Sequence, residues 1–320
     1  MNRVILDNVN PLNDVRLDCD KQAIFPILTS LGVDLGCLLL NSFAKYEIFD
    51  NQALRIVQIE TNTIKDLGFE YEYADENCDA LEYIKDKLIV GQPLVITCDC
   101  FGLPMFESTH KIAHAEHAIC IYGFDDQTQE FHIIDHEYHN SFLYLKQRLR
   151  YDDLLFSYNE HKNTFGYNSI LSINKTGKSI VDDYSKYHAM NFLLHEKTIC
   201  DSFEDIQVFT NNLNNAIGNN KLEGIEFSRV VYELGSVMNR KVYEASVIKG
   251  YLKNNKLLEL AEMKVTNISY IVAVIARYIY SGEFILSSFE KALEQLKLFY
   301  LNEKAMHEKY QNLMLSMGGD

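Results

Sequence analysis

The spacing of apolar residues changes once along this chain, and that change constrains the fold more than any other feature. In the first half, short helical patterns mix with β-branched, strand-like runs such as LVITCD (residues 94–99). In the second half, long segments of helical period follow one another, over residues 226–254, 256–282 and 287–315. The polar join INKTGKSIVDD (residues 173–183) is typical of a linker. The sequence therefore predicts an α+β domain over residues 1–176 and a helical domain, an antiparallel bundle, over residues 181–320.

Composition excludes several classes of partner. The 320 residues carry a net charge of −15 at pH 7, which repels nucleic acid phosphates and anionic lipid. No apolar run approaches the roughly 18 residues that cross a bilayer, and the amino terminus lacks the pattern of a signal peptide. The seven cysteines include no C-x-x-C pair, so neither a zinc site nor a disulfide framework is predicted. We expect a cytoplasmic protein without a metal or other cofactor, and without nucleic acid or membrane partners.

A histidine and an aspartate bracket a strand–turn–strand pattern in HAEHAICIYGFDDQTQEFHIID, residues 114–135. If Phe124 faces Glu130 across the turn, Ile119 lies opposite Asp135 and His117 is its diagonal neighbour. Diagonal neighbours on one face are roughly 7–8 Å apart at the backbone, within reach of an imidazole and a carboxylate. A register slip of one residue would move the two groups to opposite faces. The spacing permits a His–Asp hydrogen bond, and the alternative is that both residues only mark strand ends.

Cys19 is the candidate nucleophile for such a pair. It begins the predicted helix CDKQAIFPILTSLG, residues 19–32, in which Asp18 is a candidate N-cap and Pro26 is expected to kink or shorten the helix. Backbone N–H groups at a helix start and a neighbouring imidazolium both favour a thiolate, whereas Asp18 and Asp20 oppose it by like-charge repulsion. The alternative for Cys19 is a buried packing thiol.

The nearby histidines also suggest a metal site as an alternative. His114 and His117 are three positions apart just before a strand, not on a helix as in zinc-binding H-E-x-x-H segments. We therefore favour the His–Asp pair over metal ligation at these positions.

Three segments together resemble the N-terminal domain of butirosin biosynthesis protein H: DCDKQAIFPILTSLG, GQPLVITCDCFGLP and HAEHAICIYGFDD…FHIIDHE. The resemblance covers about residues 12–140 and implies a papain-like fold, distantly similar to peptidases that trim double-glycine leaders. The positions that match the family pattern are Cys19, Asp99, Leu103, Pro104, His117, Gly123, Asp125 and Asp135. Phe124 departs from the tyrosine that is usual there.

The resemblance implies transfer of an acyl group from a carrier-protein thioester to an amine of a small molecule. Cys19 would attack the thioester, His117 would move the proton, and Asp135 would hold the imidazole tautomer. An oxyanion donor is also needed. Asn13 stands upstream of Cys19, where papain-like enzymes place a glutamine, and the backbone N–H of Cys19 is the other candidate.

Two further sets of residues are candidate binding groups. Asp99 matches a family position and, with His114, is a candidate for substrate binding; the alternative for Asp99 is an ordinary acid at a strand end. Lys146, Arg148 and Arg150 in KQRLR alternate along the sequence, so an extended chain places them on one face. An acidic acyl or peptidyl carrier protein would suit that face, and the alternative is a solvated run of charge.

The sequence thus favours a cysteine-dependent acyltransferase of secondary metabolism. The first alternative is a cysteine peptidase or amide hydrolase with the same triad, and the second is a non-catalytic binding module that keeps the papain-like fold. The long amphipathic helices over residues 181–320 suggest a lid, a wall of the acceptor pocket or the surface of a homodimer.

Overall fold

The computed structural model describes residues 2–13, 18–50, 52–75, 77–136, 143–167, 169–218 and 225–318. The chain forms two compact units. We call Met1–Leu38 with Asn62–Ile180 the α+β unit, and Leu39–Thr61 with Val181–Asp320 the helical unit. The predicted division between residues 176 and 181 separates the two sequence patterns. It did not predict that residues 39–61 belong to the helical unit.

The elements follow in chain order. The strands are β1 (Arg3–Ile5), β2 (Ala44–Phe49), β3 (Ala53–Gln58), β4 (Phe69–Tyr73), β5 (Leu94–Asp99), β6 (Glu116–Asp125), β7 (Glu130–His136), β8 (Tyr144–Arg150) and β9 (Ile170–Lys175). The helices are α1 (Cys19–Ser30), α2 (Leu35–Leu40), α3 (Thr63–Asp66), α4 (Ala80–Ile89), α5 (Tyr151–Phe165), α6 (Tyr184–Asp201), α7 (Phe203–Gly218), α8 (Phe227–Val247), α9 (Asn255–Ser281) and α10 (Leu286–Gly318).

The α+β unit is built on an antiparallel sheet of seven strands in the order β4-β9-β5-β6-β7-β8, with β1 pairing to the far end of β6. One face of the sheet is buried against α4 and α5, and the alternating pattern of the strands supplies its apolar residues. This core includes Leu94, Ile96, Ile119, Ile121, Phe131 and Ile133 from the strands, with Ile84, Leu88 and Leu154 from the helices. The predicted α+β class is confirmed.

Helix α1 positions Cys19 at its first residue. The Asp18 side chain accepts a hydrogen bond from the backbone N–H of Lys21 at 2.9 Å, so the predicted N-cap is correct. Gly32 follows the helix with a φ of +88°, a left-handed conformation that favours glycine at a helix end. Pro26 is buried inside the helix and does not end it, although proline removes one backbone hydrogen bond.

The helical unit combines α6 to α10 with the β2–β3 hairpin. The segments predicted from periodicity correspond to α8, α9 and α10, and their apolar faces meet α7 in one core. Tyr46 and Leu54 of the hairpin belong to that core, which explains why residues 39–61 cluster with the helices. Within the described residues, no helix combines the length and apolar character that crossing a membrane requires.

Candidate active site

The pairing of β6 with β7 sets the position of His117 and Asp135. The observed Cα partners are Asp125↔Glu130, Phe124↔Phe131, Gly123↔His132, Ile121↔Ile133 and Cys120↔Ile134, with a β-bulge between Ile121 and Gly123. The predicted pairing of Phe124 with Glu130 is therefore wrong by one residue at the turn. The bulge shifts the register back by one, so that Ile121 pairs with Ile133 and Cys120 with Ile134, in the predicted register.

His117 and Asp135 form a buried hydrogen-bonded pair. The His117 Nε2 atom lies 2.8 Å from Asp135 Oδ1, and the two residues are 6% and 0% exposed. The same oxygen accepts the backbone N–H of His136 at 2.7 Å, and the Asp135 carbonyl accepts Gln147 Nε2 at 3.0 Å. Asp135 Oδ2 has no hydrogen-bond partner in the part of the chain that the structure describes. The carboxylate is therefore fixed towards the imidazole.

The environment of His117 favours its protonated ring. Burial lowers its pKa, but the Asp135 charge and hydrogen bond, followed by interactions with the Cys19 side chain, raise the pKa well above its usual value. Phe106 packs edge-on against the ring at 4.9 Å between centroids, and His136 lies 5.7 Å away. Because Asp135 occupies Nε2, the Nδ1 atom is the nitrogen left for the Cys19 thiol.

Two acidic residues, Asp18 and Asp20, flank Cys19 in the sequence. Asp18 caps α1 and also pairs with the Lys21 ammonium, so its charge is countered locally. Asp20 is exposed as a whole residue. The surrounding protein nevertheless desolvates its carboxylate, and this desolvation, followed by the Asp18 charge, raises its pKa. The Cys19 side chain itself is partly exposed at the first turn of α1.

Other thiols near the site are enclosed. The Cys98 Sγ atom lies 3.6 Å from the His117 carbonyl oxygen, and burial raises its pKa well above the usual range. Burial likewise raises the pKa of Cys100 to about 11 and raises that of Cys120 further. All three side chains are buried, so these residues are packing thiols. Of the cysteines beside His117, Cys19 is the one with access to a substrate.

Asn13 fastens the segment before α1 to the edge strand β8. Its Nδ2 donates to the Tyr144 carbonyl at 3.0 Å, and its Oδ1 accepts the Tyr144 N–H at 2.9 Å. Tyr144 in turn places its hydroxyl 2.7 Å from His136 Nε2. Asn13 thus has a clear structural role near the site, and oxyanion stabilisation by its amide stays a prediction.

Asp99 clasps the turn that follows β5. Its side chain is 0% exposed, and Oδ1 accepts the backbone N–H groups of Phe101 at 3.0 Å and Ala115 at 3.1 Å, while Oδ2 lies 2.6 Å from His114 Nδ1. Burial raises its pKa, but these hydrogen bonds outweigh burial and lower it overall. With both oxygens engaged, the geometry favours the structural alternative over binding of an amine.

The His114 ring lies at the surface of the same turn. It stacks on Phe101 at 4.6 Å between ring centroids, and Nδ1 is 3.2 Å from the Thr164 hydroxyl. Its side chain is 43% exposed, so it remains accessible to a ligand, and substrate binding by His114 stays a prediction.

The basic residues of β8 lie on one face, as predicted. Lys146, Arg148 and Arg150 are exposed, and the same strand face carries Tyr144. Arg148 lies 3.5 Å from Glu130 and Arg150 lies 3.8 Å from Asp152, so acids partly counter both charges. The Lys146 ammonium donates to the backbone carbonyl of residue 7 at 3.3 Å.

Among the described residues, two groups of side chains have donor atoms close enough to share a metal ion. The first is His117, Asp135 and His136, and the second is Glu196, Cys200 and His307 in the helical unit. In the first group the donor atoms already form the His117–Asp135 hydrogen bond, and the same Asp135 oxygen accepts the His136 backbone N–H. In the second group His307 Nε2 lies 3.1 Å from Glu196 Oε1.

Several residues that surround the His117–Asp135 pair were not predicted from the sequence. Phe106, Tyr144 and Gln147 come from a loop and an edge strand, and nothing in their local pattern marks them as neighbours of His117. His136 had one signal, since it directly follows Asp135.

Comparison with known proteins finds a family that matches part of the chain. The family model described as butirosin biosynthesis protein H, N-terminal, matches residues 14–136. The resemblance to that family is confirmed. Among solved structures, a C39-like peptidase from Bacillus anthracis aligns with a TM-score of 0.36 and 14% identity, over 55% of this chain and 100% of that one. No curated protein matches the chain.

The α+β unit has the arrangement of a papain-like domain. A thiol starts a helix that packs on an antiparallel sheet, and adjacent strands of that sheet present a histidine and an acid. The family match and this arrangement support a papain-like, cysteine-dependent enzyme.

Proposed function

We propose that this protein is a cysteine-dependent acyltransferase of secondary-metabolite biosynthesis, which moves an acyl group from a carrier-protein thioester to the amine of a small molecule. The observation that supports it most is the buried His117–Asp135 pair, whose imidazole also interacts with the Cys19 side chain. That arrangement of base, orienting acid and thiol suits nucleophilic attack on an acyl carbon. The biosynthetic context comes from the family that residues 14–136 match.

The first half-reaction forms an acyl-enzyme. The Cys19 thiolate attacks the thioester carbonyl carbon, and the bond between that carbon and the carrier sulfur breaks. The carrier thiolate leaves and takes the proton from the His117 imidazolium, so the carrier is released as a thiol. The backbone N–H of Cys19 stands in the first turn of α1, where N–H groups lack an intrahelical acceptor, and in this proposal it would donate to the developing oxyanion.

The second half-reaction releases an amide. The amine nitrogen attacks the acyl carbon, and the neutral His117 ring accepts the proton that the nitrogen loses. The bond to Cys19 Sγ breaks, which restores the thiolate beside the imidazolium. Asp135 keeps Nε2 as the protonated nitrogen throughout, so that Nδ1 is the atom that exchanges protons.

Hydrolysis would follow from the same acyl-enzyme if water replaced the amine. The family match to a biosynthesis protein favours aminolysis, and a peptidase or amidase is the competing outcome.

Intact-mass analysis after incubation with short acyl thioesters tests the proposal. We expect one acyl adduct per chain, mapped to Cys19 and absent from Cys19→Ala. Cys100→Ala is the matched control, because Cys100 interacts with His117 but is buried, and this variant should retain the adduct. Added primary amines should then discharge the adduct as an amide. Discharge only as free acid would identify a hydrolase, and the absence of any adduct would leave the fold as a binding module.

The basic face of β8 extends the proposal to the carrier protein. Tyr144 starts this strand and hydrogen-bonds to His136, whose ring lies 5.7 Å from that of His117. The row of Lys146, Arg148 and Arg150 therefore begins close to the site and continues along β8. We expect Lys146→Glu with Arg148→Glu to raise the KM for a carrier-bound acyl group. The same variant should leave the KM for a thioester without a carrier unchanged. An equal rise for both donors would exclude a docking role for this face.

A further inference from the structure

The helical unit contains a cavity of about 100 Å³ that the proposed acyl transfer does not use. Its walls come from α6, α8, α10 and the chain around the start of β2. Most of its lining is apolar, and includes Leu39, Phe43, Val247, Ile248, Leu252 and Met306. An apolar cavity with a few converging polar groups is the usual form of a small-molecule site.

A network of ion pairs lies at one side of this cavity, and its members are buried except for the partly exposed side chain of Glu244. Lys241 lies 2.8 Å from Glu303, and Lys264 lies 2.6 Å from Glu244 and 3.2 Å from Glu303. The Tyr46 hydroxyl donates to Glu303 at 2.5 Å. Buried charges persist when they are paired and hydrogen-bonded in this way. These contacts account for the two lysines and the two glutamates as parts of the protein's own structure.

Arg240 and Ser42 each keep a polar atom without a hydrogen-bond partner in the described part of the chain. Both line the cavity, and the Arg240 guanidinium donates to the Ser42 carbonyl while lying 4.5 Å over the Tyr243 ring. The Arg240 Nε and Ser42 Oγ atoms are buried and have no hydrogen-bond partner among the described residues. Ser42 as a whole is only 7% exposed. Leaving buried donors unpaired is unfavourable, so a ligand that accepts hydrogen bonds from both is favoured.

The charges around the cavity also favour an anion. Three cations, Arg240, Lys241 and Lys264, face two carboxylates, Glu244 and Glu303. Burial raises the Glu244 pKa, but the charges of Lys241 and then Lys264 outweigh it and lower the pKa to about 2. The group therefore keeps one positive charge that no buried carboxylate of the network counters. Glu196, which is not in the network, is paired with His307.

We propose that this cavity binds a short-chain carboxylic acid. Its carboxylate accepts the Ser42 Oγ–H and Arg240 Nε–H bonds, and its carbon chain lies among the apolar residues. A cavity of about 150 Å³ holds a benzene molecule, so this one suits a chain of about four carbon atoms. A water molecule would satisfy the same donors but would leave the excess positive charge uncompensated. An amine would add a further positive charge.

Calorimetric titration of the full chain with butyrate tests this site. We expect saturable binding of one butyrate per chain, with butyramide, which has the same shape but no charge, binding at least about tenfold more weakly. Ser42→Ala should weaken butyrate binding about tenfold, and Arg240→Gln should weaken it further. Arg277→Gln is the matched control, because Arg277 is an exposed arginine of the same unit outside the cavity. Its affinity should equal that of the natural chain.

The site is independent of the catalytic proposal, and the titration separates the two. Cys19→Ala should bind butyrate as the natural chain does. Equal affinity for butyrate and butyramide would overturn the carboxylate assignment. Absence of butyrate binding, or unchanged binding by Ser42→Ala, would show that the cavity holds water only. Ser42→Ala removes one hydroxyl and no charge, so this outcome stays interpretable if Arg240→Gln fails to fold.

Discussion

His117 Nε2 and Asp135 Oδ1 are 2.8 Å apart, although the residues are 18 positions apart in the chain and on different strands. The bond fixes which imidazole nitrogen faces Cys19, because Asp135 occupies the other one. It also gives the acid a role that can be separated from those of the other buried carboxylates in the unit.

Asp135→Asn should reduce turnover by about a thousandfold or more with little loss of folded structure. The amide can stabilise the wrong imidazole tautomer, with a proton on the nitrogen that should face the thiol. Asp99→Asn is the matched control, since Asp99 is also buried and also bonds to a histidine. Asp99 holds a turn, so its substitution should lower the free energy of unfolding by about 1–3 kcal/mol and spare turnover per folded molecule. Steady-state kinetics with urea denaturation distinguish the two, and the reverse pattern would transfer the orienting role to Asp99.

The raised pKa of His117 predicts a specific pH dependence of stability. Its pKa is well above the ordinary 6.5 in the folded chain, so the folded state keeps a proton that the unfolded state loses. The resulting stabilisation is complete below about pH 6.5 and is lost as the pH rises through the folded pKa. The difference in unfolding free energy between the natural chain and His117→Gln should therefore shrink as the pH rises above 6.5.

Subtracting His117→Gln removes the contribution of other groups with raised pKa values, such as Cys98 and Cys100. Nuclear magnetic resonance of the imidazole supplies an independent readout, and the His117 ring should titrate well above pH 6.5. A ring that titrates near 6.5 would mean that the Asp135 and Cys19 interactions do not control it.

The sequence predicted the α+β class, and the strands that carry His117 and Asp135, because both depend on local periodicity. The alternation in β6 and β7 predicted the shared face of His117 and Asp135, and helical spacing predicted α8 to α10. The predicted hairpin register was wrong by one residue at the turn and right at Cys120, because β6 has an extra residue, Tyr122, in a bulge between the two positions. A bulge of this kind has no unambiguous local signal in a sequence.

Long-range contacts explain what the sequence did not show. The double hydrogen bond of Asn13 with Tyr144 joins positions 131 residues apart, and no spacing rule relates them. Asp99 is similar, because its partners at 114 and 115 become neighbours only after the loop closes. The place of residues 39–61 depends on the packing of Tyr46 and Leu54 into a helical core formed far along the chain.

Gly123, which matches the family pattern, should be required for packing. It lies in β6 where β1 pairs, and a Cβ atom there would come within 2.5 Å of the Val4 carbonyl oxygen, a backbone atom that cannot easily move. We expect Gly123→Ala to lower the free energy of unfolding by about 1–3 kcal/mol. Gly177→Ala is the control, since a Cβ atom there meets nothing within 4 Å among the described residues. Urea denaturation of both variants measures the effect, and equal stabilities would refute the steric explanation.

Selective alkylation tests the thiol without any knowledge of the substrate. Cys19 is partly exposed beside the protonated ring of His117, and an adjacent imidazolium stabilises a thiolate. Burial raises the pKa of Cys98, Cys100 and Cys120, which keeps those thiols protonated and unreactive. Iodoacetamide at about pH 6.5 should therefore label Cys19 first, as peptide mapping by mass spectrometry would show.

His117→Ala should abolish this selectivity, because the cation that stabilises the thiolate is removed. Cys78 and Cys200 provide an internal reference, since both are partly exposed but burial raises their pKa values. They should react slowly and at equal rates in the natural chain and in His117→Ala. Labelling of Cys19 should also prevent formation of the acyl adduct. If a different cysteine reacts first, and Cys19→Ala still accepts an acyl group, then Cys19 is not the nucleophile and the proposed triad is wrong.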